Sequence, residues 1–128
     1  MSTPDRHPVD LFRSYINLHS SGAAETMKMS RGAPPDVDGF LVGAFQLTRN
    51  PPHGGEMHPD GDELLFVTDG QIDVALDGDT AEIVSLQAGD AFLVPQGVWH
   101  RLVVRSPTKL LHVTPGRSEH KPRRTKRT

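Results

Sequence analysis

From Phe40 onward turn-forming residues cut the chain every few positions, and no apolar run between the cuts has the length or the spacing of an amphipathic helix. The runs are FLVGAFQLT (Phe40 to Thr48), DELLFVT, QIDVAL, AEIVSL, AFLVP, WHRLVV and KLLHVT. Their separators, RNPPHGG, TDGQ, DGDT, QAGD, PQGV and RSPT, supply the glycine, proline and acidic or amide residues that reverse a chain. Short strands at this spacing predict an all-β sandwich or closed barrel with little or no helix. Upstream, DLFRSYINLHSS fits an edge strand through Tyr15 to Leu18 better than a short amphipathic turn through Leu11, Phe12 and Tyr15, and RGAPPDVDG is a loop.

A chain of 128 residues has room for one core. The reading divides it into partly irregular N-terminal strands and loop over 1–39, a β-barrel over 40–116, and a basic, disordered tail over 117–128. Charge follows that last boundary. Residues 1–116 hold 8 Lys/Arg against 15 Asp/Glu, net −7, and residues 117–128 hold 6 against 1, net +5. Such a tail can meet phosphate backbones. It has no aromatic residue for base stacking and follows an acidic body that repels nucleic acid, so nucleic acid is not expected as a partner. With no apolar run of about 18 residues and no apolar region behind the N-terminus, neither a membrane span nor an export signal is expected, and the expected location is cytoplasmic. There are no cysteines, so a metal would have to be held by His, Asp or Glu.

The stretch HGGEMHPDGDE, residues 53–63, concentrates such residues. Pro59, Asp60 and Gly61 suit a tight turn between antiparallel segments. Before it, Glu56 and His58 stand at i and i+2, on one face of an extended strand. After it, Glu63 opens the next strand and can lie across from them. Charges on a face that looks into a core are unfavourable unless a cation or water compensates. Much later, GDAFLVPQGVWH turns at Pro95 and Gly97 and returns as a strand that begins near His100.

These two segments resemble the paired motifs of the cupin superfamily, G(X)5HXH(X)3-4E(X)6G and G(X)5PXG(X)2H(X)3N. His58, a gap of four, Glu63, a gap of six and Gly70 follow the first motif, and Gly89, Pro95, Gly97 and His100 follow the second. The resemblance covers roughly residues 40 to 114. It implies a double-stranded β-helix, or jelly-roll barrel, often paired as a homodimer. It also implies a divalent metal site, usually three histidines and one glutamate. From the leading histidine of the first motif onward two positions depart from the pattern: Glu56 stands where that histidine belongs, and Val104 replaces the terminal asparagine, which is not a ligand. The set offered here is Glu56, His58, Glu63 and His100, and this pairing of imidazole with carboxylate suits Mn, Fe, Ni or Zn. The alternative is a relic barrel in which Glu56 faces solvent and the two histidines are satisfied by hydrogen bonds.

Two further histidines bear on the site. His53, in the glycine-rich loop, is either exposed or a substitute ligand. His112, in LLHVT, either lines the cavity as a partner of the ligands or is an ordinary buried histidine. Trp99 precedes His100 and so faces outward, a candidate for a dimer interface. No G-x-S-x-G elbow or comparable nucleophile setting is present, and no catalytic residue is assigned. The function expected is binding of a divalent metal and a small polar metabolite, with or without catalysis of the dioxygenase or isomerase type. The competing readings are a non-catalytic ligand-binding or sensing module and a metal-free dimeric scaffold.

Overall fold

The computed structural model describes residues 7–78 and 81–122. Among them there are nine strands and no helix. They are β1 (Ser14–Leu18), β2 (Ala24–Lys28), β3 (Phe40–Leu47), β4 (Gly55–Met57), β5 (Glu63–Asp77), β6 (Glu82–Gln87), β7 (Ala91–Val94), β8 (Trp99–Pro115) and β9 (Glu119–Lys121). Every pairing is antiparallel.

Two long strands organise the rest. β5 and β8 pair along almost their whole length, from Leu64 opposite Val113 to Asp77 opposite Trp99. The ladder loses register between Val67 and Ile72. On one side of that break, the pair is flanked by β7 on β5 and by β3, β1 and β2 beyond β8. On the other side it is flanked by β6 on β5 and by β4 and β9 beyond β8. One ribbon therefore contributes half its length to each of two sheets, the arrangement of a jelly roll. The separators TDGQ and RSPT lie inside this ribbon and are not hairpin turns. They are where it bends, because bulges increase twist and re-aim a strand without ending it.

The inward faces of the two sheets close on one apolar core of Leu65, Val67, Ile72, Val74, Leu76, Leu86, Val94 and Leu110, with Phe45, Phe92 and Leu102 packed against it. Along β5 the alternation Glu63, Leu65, Val67 sends every second side chain inward, as the period of a strand requires. The ribbon bends at Gly70, the glycine that closes the first motif. Its φ is +87°, and a Cβ there would lie 2.1 Å from the carbonyl oxygen of Pro107. Outside the second sheet, Arg105 donates to Asp73 (2.7 Å from Nε), which also accepts from Ser85 (2.7 Å).

β1 occupies the segment expected as an edge strand but is paired on both sides, because β2, which was not anticipated, lies outside it and forms the edge. Both extend the sheet through β3, so residues 14–28 share the architecture of the barrel. Of the stretch read as a disordered tail, residues 119–121 form β9 on β4. Residues 123–128 lie outside the described residues. Gly70 and Gly97 provide a test, since both have positive φ but only Gly70 is also crowded by backbone. Gly97→Ala should lower stability by about 1 kcal/mol and Gly70→Ala by upward of about 2 kcal/mol, read as urea midpoints.

Candidate metal centre

β4 and β8 place Glu56 directly opposite His100. His58 follows β4 at once, and its carbonyl accepts a hydrogen bond from Gly97 N–H (3.0 Å), which ties the two motif turns together. Glu63 enters at the head of β5, from the other half of the ribbon. The four side chains meet between the sheets: one ligand atom from each lies within 4.8 Å of the others. His58, Glu63 and His100 are only 1–3 % exposed, and the Glu56 side chain is 21 % exposed at the edge of the cluster. Glu56 thus points at the histidines and not at solvent, which counts against the relic reading.

The distances distinguish two kinds of contact. Nε2 of His58 is 3.2 Å from Glu63 Oε2 and 3.6 Å from Glu56 Oε1. Nε2 of His100 is 3.2 Å from Glu63 Oε1 and 3.3 Å from Glu56 Oε1. A charge-assisted N–H···O bond closes to about 2.7–2.9 Å, so these contacts are too long for good direct bonds. Donors held about 2.1 Å from one ion, at tetrahedral or octahedral angles, stand about 3.0–3.4 Å apart. Three of the four contacts have the second spacing, and the fourth, His58 to Glu56 at 3.6 Å, is slightly wider. Consistent with that, His58 Nε2, His100 Nε2 and Glu63 Oε1 are buried and have no hydrogen-bond partner. Buried polar atoms are rarely left so, and these converge on a single point. The residues fit a divalent ion.

Partners behind the cluster aim each donor. His58 Nδ1 meets Ser118 Oγ at 3.0 Å, and His100 Nδ1 faces the Val98 carbonyl at 3.4 Å. A carbonyl can only accept, so Nδ1 of His100 is the donor here, and in the neutral imidazole this leaves the Nε2 lone pair facing inward, as in a metal-ligating imidazole. Thr114 donates to Glu63 Oε2 at 2.6 Å. His112 Nδ1 is 2.7 Å from Thr114 Oγ1, and with the hydroxyl proton committed to Glu63 it is His112 that donates to Thr114. His112 is 3 % exposed and stacks on Phe45 with ring centroids 4.7 Å apart. Its Nε2 is buried and unpartnered. It lies over Gly43, where any Cβ would come within 2.7 Å of it. Glu56, His58, Glu63, His112 and Thr114, together with Pro34, Phe45, Leu65, Leu102, Leu110 and Ser118, line a cavity of about 40 Å³.

The structure therefore brings Glu56, His58, Glu63 and His100 into one cluster and sets His112 behind Glu63. His53 is elsewhere: it stands on the far side of Glu56, beside His120, with ring centroids 5.1 Å apart. His120 Nε2 is 3.1 Å from Glu56 Oε2. Trp99 faces away from the cluster as expected, but its ring is covered by the Lys121 ammonium, 4.5 Å from the centroid. The sequence reading missed Thr114, Ser118 and His120. Thr114 was accessible from the i, i+2 rule applied to His112. Ser118 and His120 form the same i, i+2 pair as Glu56 and His58, but within a segment assigned to the tail.

The sequence matches the family profile described as the cupin domain over residues 48–114, and the chain belongs to the cupin family. No curated protein matches it at a significant level. Solved structures with the same fold include a cupin-2 domain protein from Shewanella frigidimarina, 20% identical, TM-score 0.53, covering 68% of this chain and 83% of that one. A protein from Neisseria meningitidis, NMB1881, is 21% identical, with TM-score 0.53 and coverage of 69% and 88%. An oxalate oxidase in complex with the substrate analogue glycolate is 16% identical, with TM-score 0.53. The match covers 61% of this chain but only 42% of the oxidase, so the chain spans less than half of that protein.

Electrostatics give the metal-free cluster a distinctive pH response. Burial pushes the His58 and His100 imidazoles down, but the carboxylates of Glu56 and Glu63 beside them win and hold His58 up at about 10 and His100 at about 9. Burial likewise pushes both carboxyls up, and the neighbouring histidines bring them below their ordinary 4.5. Raised imidazoles contribute stability that is full below their unfolded value of 6.5 and lost as pH rises through 9 to 10. Lowered carboxyls contribute stability that is full above 4.5 and lost as pH falls. Chelator-treated protein should therefore be most resistant to urea between about 4.5 and 6.5 and lose resistance on both sides. Unchanged midpoints from pH 6 to 9.5 would contradict this. Thr114→Val, which leaves Glu63 Oε2 and His112 Nδ1 without partners, should cost about 1–3 kcal/mol in the same assay.

Proposed function

We propose that this cupin holds one divalent metal ion through Glu56, His58, Glu63 and His100 and uses it to bind a small polar acid in the barrel. The observation that carries this reading is the set of three buried, unpartnered donor atoms, on residues whose ligand atoms gather with that of Glu56 within 4.8 Å of one another. An ion at this position supplies Lewis acidity toward an oxygen-bearing ligand. The chain supplies the rest. Thr114 holds one oxygen of Glu63, leaving the other for the centre. Glu56, less buried than its neighbours, is the carboxylate best placed to exchange a proton with a ligand. The His112 imidazole, which burial holds below its ordinary value, lines the cavity and steadies Thr114 through Nδ1.

The ligand class follows from size and charge. A cavity of about 40 Å³ is on the scale of one or two waters, so only a compact molecule or the end of a larger one fits behind Pro34. The oxalate oxidase that shares the fold is solved with glycolate, a small hydroxy acid, which supports the same class here, with only the end of such a molecule entering the cavity. Assembly as a homodimer, and a turnover of the dioxygenase or isomerase type, belong to the proposal through the family alone.

Metal analysis of untagged protein reconstituted with Mn, Fe, Ni or Zn should give a stoichiometric, tightly held ion. His100→Ala should abolish it, and Glu56→Gln, which keeps shape but removes one charge, should weaken it by more than about 100-fold. Glu56→His, which restores the family's donor set, should retain it. Wild-type protein that takes up no stoichiometric ion would end this reading.

A further inference from the structure

Glu56 is the residue that departs from the family pattern, and unlike a histidine it offers two donor atoms. Oε1 faces His58 and His100. Oε2 faces the opposite way, 3.1 Å from His120 Nε2. His53 stands beside His120, and donor atoms of His53, Glu56 and His120 all lie within 4.8 Å of one another. We infer that His53, Glu56 and His120 form a second divalent-metal site at the outer edge of the barrel, with Glu56 shared as a bridging carboxylate. The inference rests on the buried site only through Glu56.

The three side chains are held together by backbone. Glu56 and His120 are directly opposed in the β4–β9 ladder, so their side chains leave the same face. Gly54 N–H donates to the Lys121 carbonyl at 3.0 Å, which extends the pairing into the loop that carries His53. That approach needs glycine, since a Cβ on Gly54 would lie 2.3 Å from the Pro122 carbonyl oxygen. All three residues are half-buried, at the rim and not in the core.

Two imidazoles and one carboxylate are the donor set of open sites, which keep coordination positions for water or ligand. Imidazole-rich donors favour the borderline ions zinc, cobalt and nickel. The outer site must also be the weaker one. Its carboxylate is shared with a neighbouring cation, and His53 Nδ1 already accepts from Gly55 N–H at 3.2 Å, a bond that ligation through Nδ1 displaces and ligation through Nε2 loses by moving the proton. The plainer role for His120, fixing Glu56 by a hydrogen bond, predicts a change in affinity but no additional ion.

Untagged, chelator-stripped protein titrated with zinc by isothermal calorimetry separates these outcomes. Wild type should take up two equivalents, the second at least tenfold more weakly. His120→Ala and His53→Ala, changed one at a time, should each leave one equivalent, with the first event altered by no more than about tenfold. His100→Ala should remove the tight event and keep the weak one. A single equivalent in wild type, removed by His100→Ala, would overturn the outer site and leave the buried one standing. Two equivalents persisting in both His120→Ala and His53→Ala would overturn the outer site equally. Loss of the weak event alone in those two variants, with a tight event untouched by His100→Ala, would support the outer site and count against the buried one.

Discussion

Two carboxylates, Glu56 and Glu63, converge on the same pair of imidazoles at the meeting of the two sheets. Two negative charges cannot be kept in such a place without two positive charges to match them. The cluster has two ways to balance. Both histidines can carry a proton, or both can be neutral around one divalent ion. Either state is neutral as a whole, and the interchange between them exchanges one ion for two protons. A set with three histidines and one glutamate has a different balance, and this gives the substitution at Glu56 a physical meaning. Thr114, Ser118 and the Val98 carbonyl serve that balance by fixing which atom of each ligand faces inward.

The scaffold delivers these groups because β5 and β8 are long enough to belong to both sheets. Glu63 continues the inward row of Leu65 and Val67, so one alternation that builds the apolar core ends in a ligand. His100 sits on the far half of β8, in the second sheet, while His112 and Thr114 sit on the near half, in the first sheet. The bend at Gly70 lets the two halves of the ribbon turn toward each other. A straight ribbon of the same residues would hold His100 and Thr114 on one face but far apart along its length.

Much of this was legible in the sequence, and the reasons are local. Turn residues around Pro59 to Gly61 and around Pro95 to Gly97 mark where the chain reverses, and strand period then sets which side chains share a face. Glu56, His58, Glu63 and His100 follow from those rules together with the family resemblance. The ribbon was not legible, because a bulged bend and a hairpin turn use the same residues: TDGQ and RSPT carry turn chemistry in either case. β9 was hidden for a different reason. Its three residues lie in a basic segment without apolar alternation, and only pairing with β4 makes them a strand. His53 and His120 therefore could not be placed together from spacing alone.

The wide separation in sequence between the β4 segment and the head of β8 sets when the centre forms. Glu56, His58 and Glu63 are neighbours along the chain, but His100 meets them only through the β4–β8 pairing and the bend of the long ribbon. Pairings of that kind close late, because the loop between them must be ordered first. An ion held by these four residues would meet its full set of donors only in the finished barrel. Its stabilisation would then fall on the native side of the folding barrier and act as a brake on unfolding more than as a template for folding.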